Sequence, residues 1–249
     1  MEKIKFKKKT VNNKKTANTK TKKTKIGTTN QSRPLLQIAL DTLTIEEAIA
    51  AVKIVEPYID IVEVGTILLG AVGKQAISLL KSAFPNKIIV ADLKVADAGS
   101  IFAKMAFDAQ ADLLTVICAA DANTIKSAYD QSLKYDHKPE IQIELTSKFS
   151  TEDLLAWKTA GAKHVVYHRS RDAQAAGVNW TKTDLEKIEQ LDQAGFKVSI
   201  TGGLAAKDIK FFKNSNPAIF IAGRTIRGEN AVSEAKNFVR EINKYFSTK

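Results

Sequence analysis

The sequence is short of several residue types, and each shortage excludes a class of protein. Its 249 residues include one cysteine, Cys118, so no disulfide can form within the chain, and this usage is typical of a reducing compartment such as the cytoplasm. With only three histidines beside that cysteine, no ligand spacing typical of a zinc site occurs. No run of about 18 apolar residues is present either, so we expect no membrane-spanning helix.

Excess basic charge is confined to the amino end. Residues 1–33 contain eleven lysines, Arg33 and one acidic residue, Glu2, and therefore account for the whole net charge of +11. The segment consists mainly of Lys, Thr and Asn and cannot bury enough apolar surface to offset the entropy cost of ordering. We predict a disordered tail. No apolar run of about 7–15 residues follows the lysines, which argues against a secretory signal.

Two interpretations of this tail stay open. It is either a solubilising extension, native or engineered, or an electrostatic arm that binds nucleic acid non-specifically, an anionic membrane or a packaged cargo. Stacking on bases requires aromatic side chains, and Phe6 is the only one in the segment, so sequence preference would be weak. On the second interpretation, the folded body could serve as a scaffold for the tail.

Residues 34–249 read as one folded domain in which strand-length apolar runs alternate with helical periodicity. Several runs, such as that at 88–91, are continuously apolar, which is typical of parallel strands buried on both faces. The predicted strands are 36–41, 59–65, 88–92, 113–118, 141–145, 164–168, 197–201 and 218–222. Helices are predicted between them, including an amphipathic final helix at 231–246. Eight units at a mean spacing of about 26 residues favour an α/β fold of the (β/α)₈ TIM-barrel type over a doubly wound sheet.

Polar and charged side chains occur at the carboxyl ends of seven predicted strands. They are Asp41, Glu63, Asp92 with Lys94, Glu144, His168 with Arg169 and Arg171, Thr201 with Gly202 and Gly203, and Gly223 with Arg224. Ionisable groups are costly on apolar strands unless they are paired or functional. Any one of them could simply pair with a lysine at the barrel mouth, but all strand ends of a TIM barrel meet at the face that carries active sites. We therefore predict one pocket.

Two kinds of ligand are indicated at this pocket. Glycines after the last two strands allow backbone N–H groups to approach an anion, and Arg224 adds forked donors, at the place where such barrels often bind phosphate. Glu63 and Asp92 lie on neighbouring strands and offer the hard oxygen ligands that Mg²⁺ prefers.

Eight segments of the sequence carry a resemblance to a known family. They are QIALD (37–41), VEVGT (62–66), ADLKVADAG (91–99), TVIC (115–118), QIELT (142–146), VYHRSRDAQAAG (166–177), TGGL (201–204) and FIAGR (220–224). On these segments the chain resembles the 3-keto-L-gulonate 6-phosphate decarboxylases of the orotidine 5′-monophosphate decarboxylase suprafamily. The resemblance extends from residue 35 to about residue 246.

The resemblance implies a role for each matched position. The metal ligands would be Glu63 and Asp92, the catalytic residues Lys94, Asp97, His168 and Arg171, and the substrate-binding residues Asp41, Glu144, Thr201, Gly203, Gly223 and Arg224. Lys94 would stabilise an enediolate, while His168 and Arg171 would deliver a proton through water. Asp97 would position that lysine from the neighbouring subunit of a homodimer.

The same resemblance implies a reaction and a rival reaction. The expected activity is Mg²⁺-dependent decarboxylation of 3-keto-L-gulonate 6-phosphate to L-xylulose 5-phosphate, in L-ascorbate or pentose catabolism. The 3-hexulose 6-phosphate synthases of the suprafamily share the Asp-Lys-Asp cluster but generally lack the segment 168–171 and carry a small residue in place of Thr201. Leu93, which is common in the synthases, is a departure from the decarboxylase pattern, so aldolase activity stays open as the alternative.

Overall fold

The computed structural model describes residues 33–146 and 148–247, and these form a closed eight-stranded parallel barrel. The strands are β1 (Leu35–Leu40), β2 (Ile61–Val64), β3 (Ile88–Val95), β4 (Leu113–Ile117), β5 (Glu140–Leu145), β6 (His164–His168), β7 (Lys197–Thr201) and β8 (Pro217–Ala222). Strand β1 pairs in parallel with both β2 and β8, which closes the sheet. The predicted fold class is therefore confirmed.

Helices follow the strands on the outside of the barrel. They are α1 (Ile45–Val55), α2 (Thr66–Val72), α3 (Gln75–Ala83), α4 (Gly99–Asp108), α5 (Ala122–Ser132), α6 (Thr151–Thr159), α7 (Arg171–Ala175), α8 (Lys182–Gln193) and α9 (Ala231–Phe246). The predicted final helix at 231–246 is confirmed. After β7 and β8 the chain instead forms short 3₁₀ helices, Ala206–Phe212 and Arg224–Ile226, so both phosphate-site candidates lie in tight turns.

Strand alternation sorts the side chains into two layers. One face of the strands packs against the helices in a large apolar core that includes Leu36, Ile38 and Phe220. The other face fills the barrel interior with a smaller apolar cluster that includes Ile61 and Val90. Because successive residues of a strand point to opposite faces, every second residue of each strand lines the barrel interior and leads to its mouth.

Strand β3 differs from its predicted bounds and shapes the mouth. It continues three residues past Asp92 to Val95, and its register with β4 shifts between Ala91 and Val95. Lys94 was predicted just beyond the strand but lies inside this irregular extension, where its backbone is left-handed at φ 45°. The extension therefore places both Asp92 and Lys94 at the rim.

The amino end of the described chain is bound to the barrel. Arg33, assigned to the tail by composition, contacts Asp60 through its Nη1 at 3.2 Å and also donates to the carbonyl oxygen of Pro34. The remainder of the predicted disordered tail, residues 1–32, lies outside the described residues. Within the described ranges, no helix is long and apolar enough to cross a membrane.

Candidate active site

A cavity of about 690 Å³ opens at the carboxyl ends of the strands. Of the twelve site residues predicted from sequence, eleven line it: Asp41, Glu63, Asp92, Lys94, Glu144, His168, Arg171, Thr201, Gly203, Gly223 and Arg224. The convergence expected from a barrel is therefore observed, although the individual roles stay predictions. Asp97 is the exception.

Asp92 and Lys94 form the centre of a hydrogen-bonded cluster. The Lys94 Nζ lies 2.5 Å from Asp92 Oδ2. Thr66 and Thr115 donate from their hydroxyl groups to the two carboxylate oxygens of Asp92, at 2.8 and 2.9 Å. Burial raises the pKa of Asp92, but the Lys94 ammonium and these hydrogen bonds outweigh burial, and the pKa is lowered overall. Asp92 is therefore held as a carboxylate.

Lys94 is fixed as a cation. Desolvation opposes its charge, yet the carboxylates of Glu144 and Asp92 raise its pKa above the ordinary value. The Lys94 Nζ lies 3.3 Å from Glu144 Oε1, and the backbone N–H of Lys94 donates to Thr115 Oγ1 at 2.9 Å. The ammonium is thus held at the cavity by carboxylates of β3 and β5, while the backbone of Lys94 is bound to β4.

Glu63 is a second buried carboxylate beside this cluster. Burial raises its pKa well above the ordinary value, and the neighbouring Asp92 carboxylate adds to the rise. It accepts a hydrogen bond from Gln37 Nε2, at 2.6 Å. Two buried carboxylates that repel each other, with hard oxygen donors facing a cavity, fit a divalent cation that retains water ligands. Within residues 33–146 and 148–247, no group of three or more His, Cys, Asp or Glu side chains could hold a metal.

His168 and Arg171 also line the cavity, and His168 shares a contact to Glu144 with Lys94. His168 Nδ1 is 2.7 Å from Glu144 Oε1; because a carboxylate oxygen accepts, the ring donates this hydrogen bond from Nδ1–H, and Nε2 takes no part in it. Arg171 forms an ion pair with Asp41 across 130 positions of sequence. This pair joins the segment after β6 to the end of β1.

The loops after β7 and β8 form a corner of the cavity. Its backbone N–H groups and Arg224 are hydrogen-bond donors that could bind an anion. Gly202 and Gly203 have φ of 123° and 66°, in the region that glycine tolerates and other residues rarely adopt. A Cβ at Gly203 would overlap the carboxamide of Gln174. Arg224 Nη2 donates to Gln174 Oε1 at 3.2 Å.

Asp97 lies outside the cavity of its own chain. It precedes α4, is exposed, and accepts a 2.6 Å hydrogen bond from the N–H of Ala98. The cavity lining formed by a single chain does not include it.

Sequence reasoning did not single out six residues with polar side chains that line the cavity. They are Gln37, Thr66, Thr115, Gln142, Gln174 and Thr225. Strand period was an available signal, because Gln37 lies four residues before Asp41 and Gln142 lies two before Glu144, on the inward face. No comparable signal marks Gln174, which follows its strand by six residues.

Comparisons with known proteins find similar chains over most of the sequence. Residues 34–238 match the model of the orotidine 5′-phosphate decarboxylase / HUMPS family. The chain is 47% identical over 212 residues to the 3-keto-L-gulonate-6-phosphate decarboxylase UlaD of Salmonella paratyphi B, covering 85% of this chain and 97% of the relative.

Solved structures give the same grouping. A crystal structure of KGPDC from Streptococcus mutans has a TM-score of 0.83 and 40% identity, covering 86% of this chain and 99% of that one. A 3-hexulose-6-phosphate synthase from Salmonella typhimurium has a TM-score of 0.78 and 27% identity, with coverage of 85% and 99%. Both neighbours span almost their full lengths on the described barrel.

Proposed function

Because the chain belongs to the orotidine 5′-phosphate decarboxylase / HUMPS family, we propose that it is a carboxy-lyase converting 3-keto-L-gulonate 6-phosphate to L-xylulose 5-phosphate and CO₂. The observation that carries this proposal is the 47% identity, over almost the full length of the relative, to a 3-keto-L-gulonate-6-phosphate decarboxylase. The residues that line the cavity support the following proposed roles.

Charge development explains the position of Lys94. When the bond between C1 and C2 of the β-keto acid breaks, CO₂ leaves and its electron pair moves through C2 onto the ketone oxygen as an enediolate. A preorganised cation at that oxygen lowers the barrier, because it needs no reorganisation as the charge appears. Lys94 is such a cation, fixed by Asp92 and Glu144.

Protonation of C2 completes the reaction. His168 is the proposed proton donor, because its Nδ1 contacts Glu144 and its Nε2 would be available for transfer, directly or through water. Arg171 lies beside it on the same segment and pairs with Asp41, the proposed ligand of substrate hydroxyls. Thr201, Gly203, Gly223 and Arg224 would bind the remaining substrate groups, with the last three on the phosphoryl group.

We further propose Mg²⁺ as cofactor, held by Glu63 and Asp92. Bound there, the ion would supply Lewis-acid stabilisation of negative charge on substrate oxygen. Support comes from the two repelling buried carboxylates, whose oxygens suit a hard cation.

The remaining expectations are proposals as well. We propose a homodimer in which Asp97 completes the site of the neighbouring subunit, because Asp97 is exposed and does not reach the cavity of its own chain. The reaction would serve L-ascorbate catabolism, and the single cysteine favours the cytoplasm.

A substrate comparison tests the reaction. CO₂ release is measured from 3-keto-L-gulonate 6-phosphate, and the retro-aldol release of formaldehyde from D-arabino-hex-3-ulose 6-phosphate is measured in parallel. We expect the first kcat/KM to exceed the second by at least about tenfold, which is about 1.4 kcal/mol of transition-state discrimination. A higher value for formaldehyde release would replace decarboxylation with the synthase-type function.

A chelator tests the metal. Excess EDTA should abolish CO₂ release, and added Mg²⁺ in excess over EDTA should restore it. Glu63→Gln should shift the Mg²⁺ concentration for half-maximal activity upward, because it removes one anionic oxygen from the proposed site. Full activity in excess chelator would exclude a metal requirement.

A further inference from the structure

Two residues from outside the corner proposed to bind phosphate contact its binding groups. These groups, the peptide between Gly202 and Gly203 and the guanidinium of Arg224, are contacted by Arg169 and Gln174. Arg169 directly follows His168, the last residue of β6, and Gln174 lies on α7 together with Arg171. We call Arg169 and Gln174 the β6–α7 bracket.

Arg169 orients the glycine peptide. Its Nε and Nη2 donate to the carbonyl oxygen of Gly202 at 3.0 and 2.6 Å, while its Nη1 donates to the carbonyl oxygen of Val178 at 2.9 Å. The guanidinium also lies over the ring of Trp180, 4.5 Å from its centroid. These contacts use the guanidinium fork within the protein rather than for a ligand.

The contact between Arg169 and the Gly202 carbonyl also fixes the direction of the Gly203 N–H. In a trans peptide the carbonyl and the following N–H point in opposite directions. Since Arg169 holds the Gly202 carbonyl, the N–H of Gly203 points away from Arg169. Among the described residues no acceptor is bonded to this N–H, and Gly203 lines the cavity.

Gln174 connects the other half of the corner. Its Oε1 accepts from Arg224 Nη2 at 3.2 Å, and its Nε2 donates to the carbonyl oxygen of Arg169 at 2.8 Å. One carboxamide thus links the guanidinium after β8 to the main chain after β6, with Gly203 packed against it. Arg224 is otherwise an exposed side chain, so this contact limits the directions in which it can point.

We propose that Arg169 and Gln174 are positioning residues that couple the phosphate-binding corner to the segment bearing His168 and Arg171. Arg169 sets the direction of the Gly203 N–H, and Gln174 sets the direction of Arg224. The two binding groups thereby share a rigid frame with the proposed proton donor. This inference rests on the proposed function for the identity of the phosphorylated ligand, and its test does not require turnover.

The test compares binding of D-ribose 5-phosphate with binding of D-ribose in NMR titrations. Gln174→Met keeps the length of the side chain and removes both hydrogen bonds, while Arg169→Lys keeps the charge and removes the fork. Each variant should weaken D-ribose 5-phosphate binding by about tenfold, the scale of one lost charge-assisted hydrogen bond, and leave D-ribose binding unchanged. In kinetics, KM for the phosphorylated substrate should rise more than kcat falls for Gln174→Met.

Matched controls separate positioning from folding. Gln131 on α5 resembles Gln174 in its contacts but lies away from the cavity. Its carboxamide accepts a hydrogen bond from a cationic side chain, Lys134, and donates one to the hydroxyl of Tyr135. Gln131→Met should leave both sugar affinities unchanged. In a double-mutant cycle, Gln174→Met should add little to Arg224→Met, because Gln174 acts through that arginine.

The outcomes distinguish this inference from the function on which it rests. Unchanged D-ribose 5-phosphate affinity in folded Gln174→Met and Arg169→Lys would overturn the bracket, whatever the enzyme does. Equal losses for D-ribose and its phosphate would also overturn it, since they would indicate a general structural defect. Selective loss of phosphate affinity without any CO₂ release by the wild type would support the bracket and reject the proposed decarboxylation.

Discussion

At Lys94 the backbone takes a left-handed conformation inside a strand, which a residue other than glycine adopts at a cost of about 1 kcal/mol. The hydrogen bond from its N–H to Thr115 and the ion pairs of its ammonium with Asp92 and Glu144 hold it there. Such strain is tolerated where the surroundings over-determine it. The conformation accompanies the register shift between β3 and β4, and the side chain of Lys94 lines the cavity.

Removing that cation gives the first prediction. Lys94→Ala should lower kcat for CO₂ release by about 10²–10³, the usual cost of losing a preorganised charge. Lys81 is a matched control, because it is also partly buried and paired with one carboxylate, Asp112, at 2.7 Å. Lys81→Ala should change the melting temperature and leave kcat unaltered. A near-normal kcat in Lys94→Ala would assign charge stabilisation to another group.

Among the elements, the amino ends of β5, β6 and β7 form a second ionic cluster at the pole opposite the cavity. His164 is fully buried, and its Nε2 lies 2.7 Å from Glu140 Oε2. Lys163 Nζ contacts the other carboxylate oxygen of Glu140 at 2.7 Å. Burial lowers the pKa of His164, although the Glu140 carboxylate opposes this shift. Burial raises the pKa of Glu140, but the contacts with His164 and Lys163 outweigh burial, so the pKa of Glu140 is lowered overall.

These shifts predict acid sensitivity of the barrel. Below about pH 6.5 the unfolded chain takes up a proton that folded His164 resists, so the free energy of unfolding falls as pH decreases, by at most about 1.4 kcal/mol per pH unit. Glu140 contributes stability above about pH 4.5 that is lost below it, in the same direction. Urea denaturation between pH 7.5 and 4 measures the slope.

Two histidine variants isolate the contribution of His164. His164→Gln retains a donor for Glu140 but does not titrate, so its stability should fall less between about pH 6.5 and 5 than that of the wild type. His137, which is half-buried and bonded to the carbonyl oxygen of Ala111, is the control, and His137→Gln should keep the wild-type slope. Equal slopes in all three proteins would remove His164 as the cause.

For the whole molecule, assembly decides whether the site is complete. If Asp97 acts on Lys94 of the neighbouring subunit, Lys94→Ala and Asp97→Ala should each be inactive alone but complement each other when mixed and allowed to exchange subunits. Random pairing would restore about one quarter of wild-type activity, because half the dimers are mixed and each has one intact site. Absence of any recovery in verified mixed dimers would place Asp97 in the site of its own chain or outside catalysis.

The role of the basic amino-terminal segment can also be tested only on the whole molecule. Deleting residues 1–32 removes eleven lysines and Glu2 while keeping the contact between Arg33 and Asp60. CO₂ release should persist, and any binding of DNA or RNA at low salt should disappear, since that binding depends on the released counterions. Failure of the intact chain to bind nucleic acid would exclude nucleic acid as the partner of this segment.

The sequence by itself determined the barrel and most of the cavity. Eight apolar runs at regular spacing specify buried parallel strands, and barrel closure necessarily brings their carboxyl ends together, which is why eleven of twelve chosen residues line one cavity. The glycine turns that follow the last two strands were also predicted from the sequence. The residues that face the barrel interior were partly predictable, through the two-residue period that also includes Gln37 and Gln142.

Only the tertiary structure decided which of these side chains bind one another. The pairing of Arg171 with Asp41 joins residues 130 positions apart, and the bridge from Gln174 to Arg224 spans 50. Such contacts depend on barrel register, on the shifted extension of β3 and on local backbone conformations such as that of Lys94, none of which a period or a motif encodes. The strand pattern sets which residues meet, because closure is a geometric necessity, whereas hydrogen-bond partners are set at the scale of an ångström by packing of the finished barrel.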